Sequence, residues 1–115
     1  MSKILVVDDD LDILHVVEYL LTSDGFKVQT HSTGLMVNEV VSHFRPDLIL
    51  LDVLLPGKLG TEICNEIKQL FDIPVILFSA HADLVGLFSI CKPDAFMEKP
   101  FDIKKLMITI RSHLN

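Results

Sequence analysis

The residues able to do chemistry are few and fall at spaced intervals. They are the acidic run Asp8-Asp9-Asp10, a lone Asp52, Ser79 and Lys99. Carboxylates brought together repel and raise one another's pKa unless a cation joins them. A hard divalent ion such as Mg²⁺, which takes oxygen ligands, resolves that conflict. A carboxylate is also a nucleophile toward phosphorus, and Asp52, standing alone after an apolar run, is the natural acceptor. Phosphoryl transfer asks a protein mainly for positioning and charge stabilisation, so an ammonium (Lys99) and a hydroxyl (Ser79) make useful company. Singly, each residue has an ordinary reading: a helix N-cap for Asp10 or Asp12, a solvated charge for Lys99, a turn residue for Ser79. Their joint occurrence at successive strand ends argues for a site.

The elements that must position them follow from hydrophobic pattern. Five short apolar runs, Lys3 to Val7, Lys27 to His31, Leu48 to Leu51, Pro74 to Phe78 and Ala95 to Met97, read as strands. The first, third and fourth are almost wholly apolar, as in strands covered on both faces, and the more mixed second and fifth suit edges. Between them lie helical stripes: Ile13, Val17, Leu20 and Leu21; Ile63, Ile67, Leu70 and Phe71; Ile103, Leu106, Met107 and Ile110. Asp24-Gly25 marks the end of the first helix. Strict alternation predicts an α/β fold, a parallel sheet with helices on both faces and right-handed crossovers. Ligands of such sheets bind outside the carboxyl ends of the strands, where all the named residues lie.

Composition bounds the rest. The 115 residues, half of them hydrophobic, suit one domain spanning 1–115. Ten basic against sixteen acidic residues give a net charge of -6, which disfavours nucleic-acid binding through this chain. Cys64 and Cys91 form no CxxC pair and read as buried free thiols, with neither a zinc site nor a disulfide framework. The scattered His15, His31, His43 and His113 read as surface residues. No apolar stretch is long enough for a signal peptide or membrane span, which points to the cytoplasm. The chain ends just after the last helical stripe, at Leu114-Asn115, so no output domain is expected within it.

Four motifs resemble the response regulator receiver family of two-component signalling across essentially the whole chain. They are Lys3-Ile4-Leu5-Val6-Val7-Asp8-Asp9-Asp10, Pro46-Asp47-Leu48-Ile49-Leu50-Leu51-Asp52, Pro56 with Gly60, and Lys99-Pro100-Phe101. The resemblance implies a doubly wound, flavodoxin-like five-stranded sheet of order 2-1-3-4-5. It implies that Asp52 accepts a phosphoryl group from a sensor histidine kinase or phosphotransfer protein. Mg²⁺ would be held by Asp9, Asp52 and the backbone carbonyl of Leu54, with Asp8 assisting through water. Ser79 and Lys99 would bind phosphoryl oxygens, and Ser79 and Phe96 would form the switch. Phosphorylation adds about one to two negative charges, the differential interaction that a two-state switch requires.

Departures from the family are mild at Leu55, where methionine is usual, and at Ser79, where threonine is commoner. Leu54 and His81 flank the path of an attacking water in this family; an apolar Leu54 cannot orient it, which predicts a phosphoryl group lasting minutes or longer, with His81 the alternative residue to orient that water. The stretch between Ser79 and Lys99 is about two residues short, and Leu84 to Cys91 is unusually apolar. That segment reads either as a short helix sunk in the core, with Gly86 allowing close packing, or as an exposed face. In the second case it would serve, with the fifth strand and last helix, a homodimer or an output partner.

Three rival function classes fit the residues less well. A haloacid-dehalogenase-type phosphatase would use Asp8-x-Asp10, but needs a further acidic pair after the lysine, where only Asp102 remains, and leaves Asp52 without a role. A flavin carrier of the same architecture needs a Ser/Thr/Gly phosphate loop where three carboxylates stand. A phosphorylation-independent interaction module would show loss of the acidic, hydroxyl or lysine set, all of which is intact.

Overall fold

The sheet sorts its side chains by parity, and that sorting builds the two faces of the core. In the computed structural model, which describes residues 1–80 and 91–114, the strands are β1 (Lys3–Val7), β2 (Lys27–His31), β3 (Leu48–Asp52), β4 (Val75–Ser79) and β5 (Ala95–Glu98). All neighbouring pairs are parallel, in the order β2-β1-β3-β4-β5. Successive side chains of a strand point to opposite faces. Leu5, Val7, Ile49, Leu51, Val75 and Leu77 therefore face one way, and Ile4, Val6, Leu48, Leu50, Ile76 and Phe78 the other.

Among the described residues, each face receives a pair of helices. Against the first set pack Val37, Val41 and Phe44 of α2 (Val37–Phe44) and Ile63, Cys64 and Ile67 of α3 (Gly60–Leu70). Against the second pack Leu14, Val17 and Leu21 of α1 (Leu11–Ser23) and Leu106 and Ile110 of α4 (Ile103–Ser112). Most of these side chains are fully buried. Each large one contributes about 2 kcal/mol through removal of apolar surface from water.

The helical stripes differ from the pattern in detail. Leu70 and Ile103 are exposed, 63% and 51%, whereas Cys64 of α3 and Leu14 of α1, outside the stripes, are buried. A helix that lies on a sheet buries i, i+3, i+4 and i+7, so the stripe turns away from a residue at its end. Of the histidines, His15 and His43 are exposed, but His31 and His113 are half-buried. His31 Nε2 lies 2.7 Å from the Leu35 carbonyl, and His113 Nδ1 lies 2.8 Å from the Thr109 carbonyl. Both still reach the surface, as expected, with one ring nitrogen against a backbone carbonyl. The apolar segment Leu84 to Ile90 and His81 lie outside the described residues, as does the question of which face that segment presents.

The N-cap of α1 is Asp10, whose side chain accepts from the backbone N–H of Asp12 at 3.0 Å and of Ile13 at 3.4 Å. Loss of such a cap leaves helix donors unsatisfied. Asp10→Ala is expected to lower stability by about 1 kcal/mol, read from the urea midpoint. At the other end the chain leaves α1 through Gly25 at φ 94°, the left-handed position anticipated from Asp24-Gly25.

Candidate functional site: a carboxylate and lysine cleft at the switch between strands

Register brings the acidic groups together. Val7 of β1 pairs with Leu51 of β3, so one step further along the two central strands stand Asp8 and Asp52, side by side on one face. The chain leaves β1 and β3 toward opposite sides of the sheet here, the topological switch where ligands of such folds bind. Across β4, Asp52 pairs with Phe78 and Phe78 with Met97. Two residues beyond Met97, Lys99 returns to that same face. Its backbone N–H continues the ladder to the Ser79 carbonyl at 2.9 Å, and its ammonium sits 4.6 Å from the Phe78 ring centroid.

Lys99 is the hub. Its Nζ donates to Asp8 Oδ2 at 2.5 Å and to Asp52 Oδ2 at 3.3 Å. The remaining oxygens are held by backbone: Asp10 N–H donates to Asp8 Oδ1 at 2.9 Å and Val53 N–H to Asp52 Oδ1 at 2.8 Å. Asp8 is fully buried and Asp52 is 6% exposed, while Asp9 is exposed. Burial, then the charge of Asp8, pushes the Asp52 carboxyl up to about 6, with the Lys99 ammonium and the Val53 N–H opposing. One ammonium shared between two buried carboxylates leaves the site short of positive charge.

Carboxylate oxygens of Asp8, Asp9 and Asp52 all lie within 4.8 Å of one another. An all-oxygen donor set of that compactness and charge fits a hard divalent cation. The cleft around it is lined by Asp8, Asp9, Asp10, Ile13, Asp52, Leu54, Ala80, Lys99 and Pro100. Ser79 does not share that placement: alternation turns it from the Phe78 face, it is fully buried, and Ala80 forms the wall at the end of β4. Phe96 is half-buried and packs against the core cluster on the α2–α3 side.

Gly60, which stands with Pro56 in one of the four motifs, is a further determinant of the site. Its N–H donates to the Val53 carbonyl at 2.7 Å, and a Cβ built on it would stand 1.9 Å from the Asp52 carbonyl oxygen. The start of α3 is thus pressed directly on the acidic end of β3. No pattern in the sequence signals such a contact; only the observation that glycine opens a helix hints at it.

Fold and site together define a flavodoxin-like α/β module with a carboxylate–lysine centre at its topological switch. The chain belongs to the response regulator receiver domain family, whose model matches residues 4–111. Among relatives, it is 34% identical over 117 aligned positions to the DNA-binding response regulator MtrA of Mycobacterium leprae, covering 98% of this chain and 51% of that protein. The MtrA of Mycobacterium tuberculosis H37Rv is equally similar, with 98% and 50% covered. The chain thus spans about half the length of the curated relatives it matches.

Solved structures agree. The receiver domain of Klebsiella pneumoniae RstA, activated by BeF₃, superposes with a TM-score of 0.91 at 25% identity, covering 99% of each chain. The response regulator TrrA of Thermotoga maritima, in complex with Mg²⁺-BeF, gives 0.90 at 26% identity, covering 99% of this chain and 100% of that one. The five-stranded order and the signalling role expected from the motifs hold, and nothing supports the phosphatase reading. Among the described residues no helix is long and apolar enough to cross a membrane.

Proposed function

We propose that this chain is a phosphoacceptor module whose acceptor is Asp52. The observation that carries the reading is the Lys99 ammonium shared between two buried carboxylates, Asp8 and Asp52. Above pH 6 the Asp52 carboxylate is ionised and nucleophilic. An Asp52 oxygen attacks phosphorus, the donor's P–N bond to histidine breaks, and an acyl phosphate forms. Asp8, Asp9, Asp52 and the Leu54 carbonyl would hold Mg²⁺, which supplies charge neutralisation for the transferring group when bound. Lys99, released from Asp52, engages one phosphoryl oxygen, and Ser79 another after reorienting from its buried position. Phe96, packed at the rim of the core, responds to that movement.

The donor class is a histidine kinase or phosphotransfer protein, met in the cytoplasm, and the module catalyses only its own phosphorylation and dephosphorylation. The proposed unit is the whole of residues 1–115. Phosphorylation shifts a two-state equilibrium because the new charge interacts differently with Lys99 and Ser79 in the two states. Incubation with acetyl phosphate and Mg²⁺ is expected to add the mass of one phosphoryl group to the parent and none to Asp52→Asn. Equal uptake by both would refute the assignment.

Leu54 lines the cleft and is 39% exposed, so its apolar side chain borders the acceptor where water must approach. It offers that water no hydrogen bond. Leu54→Asn is expected to shorten the phosphoryl lifetime by about five- to tenfold, what one hydrogen bond of about 1 to 1.5 kcal/mol to the attacking water supplies in the transition state. Hydrolysis followed by loss of the phosphorylated mass checks this; equal rates would refute it.

A further inference from the structure

Lys99 has far to reach. It leaves the end of β5, and neighbouring strands stand about 4.8 Å apart, so Asp52 on β3 lies two strand spacings away and Asp8, just past β1, lies three. The residue in between is Phe78 of β4, the lateral partner of Asp52 on one side and of Met97 on the other. The lysine therefore crosses over the Phe78 ring. Its ammonium comes to rest 4.6 Å from the ring centroid while donating to Asp8 at 2.5 Å and to Asp52 at 3.3 Å. We propose, on the reading of Asp52 as acceptor, that Phe78 is a positioning residue for phosphoryl transfer, its ring face holding the Lys99 ammonium beside the reacting carboxylate.

An aromatic face carries negative potential, so it attracts an ammonium without a hydrogen bond, and more strongly where water is excluded. Water is largely excluded here: the Lys99 side chain is 12% exposed and Phe78 is 1% exposed. The ring itself is fixed in place. Phe101 meets it edge-on, with centroids 6.2 Å apart and planes at 64°, and the core on the α1–α4 side encloses it.

In the resting protein the two carboxylates hold the ammonium whatever lies beneath it. When Asp52 turns an oxygen to phosphorus, the longer of the two bonds is given up, and Asp8 and the ring remain to keep the ammonium beside the acceptor. An attraction that counts more in the transition state than in the resting state raises the rate. An aliphatic side chain at position 78 would fill the core but supply no such attraction.

The test replaces Phe78 alone by mono-, di- and trifluorophenylalanine, which withdraw electron density from the ring face and leave its shape nearly unchanged. Phosphoryl uptake from acetyl phosphate and Mg²⁺, followed by intact mass, is expected to slow at each step, by about fivefold in all. That factor corresponds to about 1 kcal/mol, the size of a cation–π contact. The same substitutions at Phe44, whose ring centroid lies 5.6 Å from the Lys3 ammonium at the far end of β1, should leave the rate unchanged. A second readout needs neither metal nor phosphoryl donor: in EDTA, ring current should displace the Lys99 ε-methylene protons upfield of those of the exposed Lys27 and Lys104. Equal rates across the Phe78 series, an equal slowing by the Phe44 series, or undisplaced Lys99 protons would each overturn the role of Phe78 and leave Asp52 as acceptor. A parent that takes up no phosphoryl group would instead overturn the acceptor reading, and the role of Phe78 with it.

Discussion

Asparagine at position 52 is expected to leave the protein without a phosphoryl acceptor and, in the absence of divalent cation, to make it more stable at pH 7 than the parent. The folded state holds the Asp52 carboxyl at about 6 against 3.8 for the unconstrained group, through burial first and the Asp8 charge second. Between those values the folded protein keeps a proton that the unfolded chain has already released. Stability therefore falls as pH rises from about 4 to about 6, and stays low above that. Asparagine cannot ionise, so it escapes the fall. The gain at pH 7 is on the order of 2 kcal/mol, after allowance for the partial screening of a cleft that water reaches. Urea titrations in EDTA at pH 4 and pH 7 should show the two proteins close at the acid end and separated at neutrality. A parent more stable than the variant at pH 7 would contradict the electrostatic picture. On the proposed function, Asp52 would stand ionised where the fold alone disfavours it, a strain that a bound cation and a phosphoryl group would relieve.

The second large effect concerns Gly60. A methyl group there meets the Asp52 carbonyl oxygen at 1.9 Å, its carbon at 2.8 Å and Val53 Cα at 2.9 Å. All three are backbone atoms, so no rotamer change relieves the contact; either α3 lifts or the end of β3 bends. Gly60→Ala is expected to cost about 3 kcal/mol or more, the range of overpacking against a rigid neighbour. It should also abolish phosphoryl uptake in whatever folded fraction remains, because Asp52 moves with its carbonyl. Gly25→Ala supplies the comparison. Gly25 has φ 94° but open space around its Cβ position, so only the backbone strain of about 1 kcal/mol applies and uptake is retained. Equal losses in the two variants would show that close packing of α3 on β3 is not what matters.

The strands and the acidic edge were legible because period-two alternation and chain order carry them. Val7 and Leu51 are the last apolar residues of two central strands, and parallel register then makes Asp8 and Asp52 neighbours. Other features have no local signature. The pairing of Lys99 with Asp8 crosses 91 positions and depends on the last strand returning on the Phe78 face. The turning away of Ser79 follows from parity at β4, which a list of strand-end residues does not encode. Helix α2 is flanked by Met36 and Arg45 at φ 63° and 55°, left-handed positions filled by neither glycine nor asparagine, so its ends were silent in the sequence. That Cys64 and Cys91 share the core cluster between the sheet and α2–α3 was likewise hidden, since they lie on different elements with no common motif.

The claim on which the rest depends is that the phosphoryl group resides on the Asp52 carboxyl. Borohydride reduces an aspartyl phosphate to homoserine at the modified position and leaves free carboxylates untouched. After incubation with acetyl phosphate and Mg²⁺, reduction followed by peptide sequencing should place homoserine at position 52. Homoserine at position 8 or 9, or none anywhere in a folded and magnesium-loaded protein, would contradict it.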